Sequence, residues 1–115
     1  MNARCAALVA LAAPLGLTLV LATPAPAAAE AAAKVFAKSC APCHGKEGEP
    51  NAVFAKQGVR SFKDQAWQKA TPDAQIEKSI REGKKGTMMA SFEKQFPAED
   101  IKGLVAYSRK LGSGK

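Results

Sequence analysis

The sequence predicts an all-α fold, with three to four short helices wrapped around one bound group. Three observations support this. Helix start and stop signals recur through residues 30–115, while no run alternates apolar and polar residues as a strand would. No internal repeat and no Gly-rich phosphate loop is present. The chain is also short, at 115 residues. A domain of this size buries too little apolar surface to be secure alone and calls for a staple: disulfides, a metal or an embedded cofactor.

Met1–Ala29 differs in character from the rest. Arg4 is its only charged side chain, Cys5–Ala22 is almost wholly apolar, and small residues with an A-x-A exit close it at Ala29. This layout predicts a secretory signal over residues 1–29, cleaved near Ala29, and a single domain over residues 30–115. The apolar run is about 18 residues, the short edge for a membrane span, and Pro14 and Gly16 interrupt it. Once it is removed, no stable membrane insertion is expected. Export implies a periplasmic, oxidising location. Cys5 would leave with the signal, so Cys40 and Cys43 are the thiols of the mature domain.

Glu30–Ser39 is rich in helix formers, carries Val35 and Phe36, and runs straight into Cys40. From Gly45 to Ala70 the breakers Gly48, Pro50 and Gly58 interrupt any period, which predicts a long loop wrapped around something. Thr71, Pro72 and Asp73 supply an N-cap, a first helical residue and a first-turn acid. Ile76 and Ile80 follow one turn apart, and Gly83 stops that helix. A loop over Lys84–Met89 leads to a last helix from Pro97, with Glu99 and Asp100 near its positive dipole end. Ile101, Leu104, Val105 and Leu111 form its apolar stripe, Tyr107 lies beside them, and Gly112 is the expected C-cap.

Cys40-Ala41-Pro42-Cys43-His44 is a C-x-x-C-H string. On a helical turn, positions i, i+3 and i+4 share a face. Two thiols so placed can add to the two vinyl groups of haem, with the adjacent imidazole under the iron, and the string is the attachment signature of one covalent haem c. Cys40 and Cys43 are thus the cofactor-binding residues and His44 a metal ligand. A zinc site would need four ligands, more than two Cys and one His supply. A thioredoxin-type disulfide would want a βαβ context. His44 is the sole His, so a bis-His haem is excluded, and a Met thioether is the candidate for the second axial position. Met88 and Met89 both stand as candidates.

These features together resemble the class I monohaem c-type cytochromes. The likeness is carried by Phe36 four residues before Cys40, by C-A-P-C-H-G, by Ile80–Phe92 (IREGKKGTMMASF) and by Leu104–Leu111 (LVAYSRKL). It implies a cytochrome c-like fold in which the first and last helices cross near Phe36 and Tyr107, with Gly103 or Ala32 allowing close approach. The family's distal Met-Pro-x-Phe pattern falls on Met89, with Ala90 where Pro is usual, and makes Met89 the implied second iron ligand. The family also supplies a proline carbonyl to the haem histidine. Pro50 is the nearest candidate here, with no matching phrase around it. Trp67 is either a core aromatic or, as the resemblance suggests, a donor to a haem propionate, and Arg60 could serve a propionate or lie solvated.

Lys+Arg exceed Asp+Glu by 17 to 10, a net charge of +7, or +6 once Arg4 is removed. The lysines are dispersed and not interleaved with stacking aromatics, so nucleic acid is not the expected partner. Redox proteins with acidic docking surfaces are, with Lys84 and Lys85 near the exposed haem edge in the family fold. The expected function is a soluble one-electron carrier. His/Met ligation fills both axial positions, so the domain has no catalytic residues and is not an enzyme. The alternative is a haem-bearing subunit of an exported oxidoreductase complex.

Overall fold

A computed structural model of the chain describes residues 26–114. Most of the expected leader, residues 1–25 with Arg4 and Cys5, lies outside the described residues. Six helices follow in order: α1 (Pro26–Ser39), α2 (Ala41–His44), α3 (Ala52–Lys56), α4 (Gln65–Ala70), α5 (Asp73–Glu82) and α6 (Ala98–Ser113). No strand occurs among the described residues. The all-α prediction holds. The extra helices are short ones, and α1 starts at Pro26, so Ala29 falls within its first turn.

α1 packs across α6. Ala32 is buried, and a Cβ on Gly103 would lie 3.4 Å from the Ala32 Cβ, so the two small residues let the backbones approach together. Phe36 and Tyr107 meet one turn further on, ring centroids 5.1 Å apart and tilted by 54°. The crossing therefore falls where the resemblance put it. Phe36, Ile101, Leu104 and Val105 form the centre of the core, and Ile76 and Ile80 of α5 and Phe62 complete it.

The stretch read as one long loop holds α3 and α4. A helix of five or six residues is too short to show a period, but each has a capping side chain. Asn51 Oδ1 accepts from the backbone N–H of Val53 (3.0 Å) and Phe54 (3.1 Å). Asp64 Oδ1 accepts from Ala66 (3.0 Å) and Trp67 (3.1 Å). Each such cap contributes about 1 kcal/mol.

Two boundaries also move. Pro72, not Thr71, is the N-cap of α5, and Thr71 instead closes α4. Gly112 does not end the last helix, which runs to Ser113 and stops at Gly114, at φ 67. Gly112 is buried inside α6, where a Cβ would collide with the Gln68 amide and sit 2.6 Å from the Phe62 carbonyl oxygen. Arg109 fastens the same face. Its guanidinium donates to the Gln68 carbonyl (2.8 Å), the Gln68 side chain (2.6 Å), the Thr71 carbonyl (2.5 Å) and the Asp73 carboxylate (2.8 Å). One side chain thus ties α6 to the α4–α5 junction.

Candidate functional site

The Cys40–His44 segment continues α1 after a one-residue break. The Cys40 N–H donates to the Phe36 carbonyl (2.9 Å), and the Cys40 carbonyl accepts from the N–H groups of Cys43 (3.2 Å) and His44 (2.9 Å). Both thiols and the imidazole are half-buried and line one cavity of about 340 Å³. Gly45 ends the turn at φ 78 and ψ 148, a conformation essentially confined to glycine, and any Cβ there would overlap the Glu49 backbone.

The two cysteines are unpaired thiols. Burial, and then the neighbouring Cys43, pushes the Cys40 thiol up to about 11. That is the opposite of the lowered thiol of a disulfide oxidoreductase. Burial also holds His44 below its ordinary value, which keeps the imidazole neutral, the form that binds iron.

His44 Nδ1 is buried and meets no hydrogen-bond partner among the described residues, so the carbonyl looked for at Pro50 does not reach it. The ring instead stacks on Phe62, centroids 5.0 Å apart at 16°. Phe62 was not singled out from the sequence. It lies between Gly58 and the Asp64 cap with no periodic neighbours, and only its aromatic bulk marks it. Trp67 packs against the core, stacks on Phe62 at 5.6 Å and also lines the cavity.

The methionine loop reaches the same cavity from the other side of α5 in sequence. Met88 is 66% exposed, whereas Met89 packs against the core. Met89 is held by its backbone: its N–H donates to Thr87 Oγ1 (3.2 Å) and its carbonyl accepts from the Lys84 N–H (3.0 Å). Thr87 in turn donates through both its N–H and its hydroxyl to the Lys84 carbonyl (3.1 and 2.8 Å). Just beyond, the Phe92 N–H donates to the Ile80 carbonyl (3.1 Å) and the Ser91 hydroxyl to the Arg81 carbonyl (2.6 Å). These bonds fix the turn that a proline at Ala90 would have stiffened. Arg60, Lys84 and Met88 also line the cavity, and all three are exposed.

Two thiols and an imidazole on one turn, a thioether in the same cavity, apolar walls and a buried imidazole nitrogen awaiting a fixed orientation all fit a covalently held haem. A helical domain built this way is a c-type cytochrome. Residues 27–107 match the family described as cytochrome c oxidase, cbb3-type, subunit III, and the chain belongs to that family.

The chain is similar to the cbb3-type cytochrome c oxidase subunit FixP of Bradyrhizobium sp. ORS 278, 32% identical over 76% of this chain and 29% of that protein. The FixP of Bradyrhizobium diazoefficiens is 30% identical over 71% and 27%. That of Azorhizobium caulinodans is 34% identical over 76% and 29%. The chain thus spans under a third of the length of these curated relatives. Among solved structures, the KustC0563 c-type cytochrome superposes with a TM-score of 0.65 at 34% identity, over 70% of this chain and 95% of that one. The domain carries covalently bound haem c, and a cytochrome c domain is an electron carrier.

Proposed function

We propose that this chain is an exported, soluble one-electron carrier whose haem is attached through Cys40 and Cys43 and ligated by His44 and Met89. One observation carries the reading: a single cavity collects the C-x-x-C-H turn and a methionine whose backbone is bonded on both sides. When bound, haem supplies a one-electron couple at its iron. The chain's own residues hold it and shield it. Phe36, Phe62, Ile76, Ile80 and Leu104 wall the cavity with apolar surface and exclude water. With an imidazole and a thioether on the iron, the domain needs no acid–base group and is not catalytic by itself.

The leader reading of residues 1–29 supports a periplasmic location. Among the described residues, no helix is long and apolar enough to cross a membrane. Partners are redox proteins with acidic docking surfaces, because Lys84 and Lys85 are exposed beside the methionines and none of the described carboxylates pairs with either. A second reading, the haem-bearing subunit of an exported oxidoreductase complex, is favoured by the similarity to FixP oxidase subunits.

The oxidised protein should show the weak far-red band of an iron–thioether bond. Met89→Ala should abolish the band and Met88→Ala should leave it. The reverse pattern would move the ligand to Met88, and rapid carbon monoxide binding by the native reduced protein would contradict closed ligation.

A further inference from the structure

We propose that Phe62 is a positioning residue for His44, its ring setting the plane in which the imidazole is presented to the cavity. The inference rests on the reading of His44 as the iron ligand. A haem or metal histidine is ordinarily oriented by a hydrogen bond from its second nitrogen to a carbonyl or carboxylate. Here that nitrogen, Nδ1, is buried and meets no acceptor. Rotation of an imidazole about its Cβ–Cγ bond is a broad torsion with no sharp preference of its own. Something else must hold the ring. The only aromatic plane parallel to it among the described residues is Phe62, at 5.0 Å and 16°.

Phe62 is able to impose an orientation because it is itself immobilised. It is buried, at 8% exposure. Its N–H donates to the Gly48 carbonyl (2.8 Å), and its carbonyl accepts from Gln68 Nε2 (2.7 Å). Its ring is bounded by Trp67 at 5.6 Å and by Phe36 at 6.1 Å, tilted 54°. Gly48, at φ 77, lets the backbone pass against this ring, since a Cβ there would come within 3.1 Å of Phe62 Cδ2. Hydrogen bonds to its backbone from two separate segments and two aromatic neighbours thus converge on one residue whose free face lies on the imidazole. Replacing the flat ring by a branched aliphatic of similar apolar character keeps the core filled but removes the plane.

The test compares the oxidised, haem-loaded protein with Phe62→Leu and Phe62→Tyr by low-temperature electron paramagnetic resonance. The wild type and Phe62→Tyr should give one narrow low-spin signal. Phe62→Leu, with far-ultraviolet circular dichroism unchanged, should give a low-spin signal split or broadened about twofold, because the freed torsion samples several planes. In the reduced wild-type protein, nuclear Overhauser cross-peaks should join the ring protons of Phe62 and His44. An unaltered signal in Phe62→Leu overturns the proposal. So does the absence of those cross-peaks, which decides the matter even if Phe62→Leu fails to mature. A high-spin wild-type signal would instead bring down the ligation reading, and the proposal with it, so the two failures are distinguishable.

Discussion

Gly83 is the residue on which the methionine loop hangs. It closes α5 at φ 74 and ψ −173, a combination essentially restricted to glycine. A Cβ there would sit 2.7 Å from the Met89 carbonyl oxygen, 2.8 Å from the Ala90 carbonyl carbon and 2.8 Å from the Ser91 nitrogen. All three are backbone atoms, so no side-chain rotation relieves the overlap. Gly83→Ala incurs about 1–3 kcal/mol of backbone strain. Forcing the packed segment apart adds about 1–3 kcal/mol more. The usual gain of a Gly→Ala change through the unfolded chain, about 0.4–1 kcal/mol, offsets the smaller part. The variant should therefore lose about 1–5 kcal/mol in guanidinium denaturation of the haem-loaded protein, and its far-red thioether band should weaken because the Met89 backbone is displaced. Gly86→Ala is the control. It lies in the same loop at φ 78 with nothing within 4 Å of its Cβ position. It should lose only about 1–2 kcal/mol and keep the band. Equal stability of the two variants, both with a full band, would refute the claim that Gly83 makes room for the Met89–Ser91 backbone.

The packing of α6 gives a prediction of opposite sign to helix propensity. Gly112→Ala should lower stability by about 1–3 kcal/mol, because the new methyl displaces Gln68 and strikes the Phe62 carbonyl. A raised melting temperature would show that propensity wins. Arg109→Ala should cost about 1–3 kcal/mol by stripping charged donors from the Gln68 and Thr71 carbonyls. Asp73→Ala should cost under about 1 kcal/mol, since that carboxylate is largely exposed; equal losses in a urea titration would contradict the division. Lys84→Glu combined with Lys85→Glu should slow reduction by an acidic redox partner and flatten its salt dependence. Stopped-flow rates unchanged across ionic strength in both proteins would remove the steering role.

What the sequence made legible was local. C-x-x-C-H is a single turn, so its spacing alone places Cys40, Cys43 and His44 on one face. Ile76 and Ile80, and the stripe from Ile101 to Val105, announce buried faces because four residues are about one helical turn. The rest depended on partners distant in the chain. Gly112 reads as a helix stop because glycine signals both a C-cap and a close approach, and only the presence of Phe62 and Gln68, over 40 residues earlier, decides between them. α3 and α4 are too short for periodicity, and only the capping bonds of Asn51 and Asp64 mark where they start. Phe62 carried no motif, and its stack on His44 spans 18 residues whose one helix, α3, is a five-residue turn. The Ala90 departure shows the same limit. A turn stiffened by proline elsewhere is held here by Thr87 and Lys84, which no spacing rule would have nominated.

The claim beneath all of this is that haem is joined to the chain through the cysteine pair. Tryptic cleavage after Lys38 and Lys46 releases residues 39–46, which contain Cys40, Cys43 and His44. Mass spectrometry of that peptide, from protein matured in a host able to attach haem, should find it heavier by one haem, with no free thiol. The same peptide at its bare amino-acid mass, or carrying only a Cys40–Cys43 disulfide, would contradict the account.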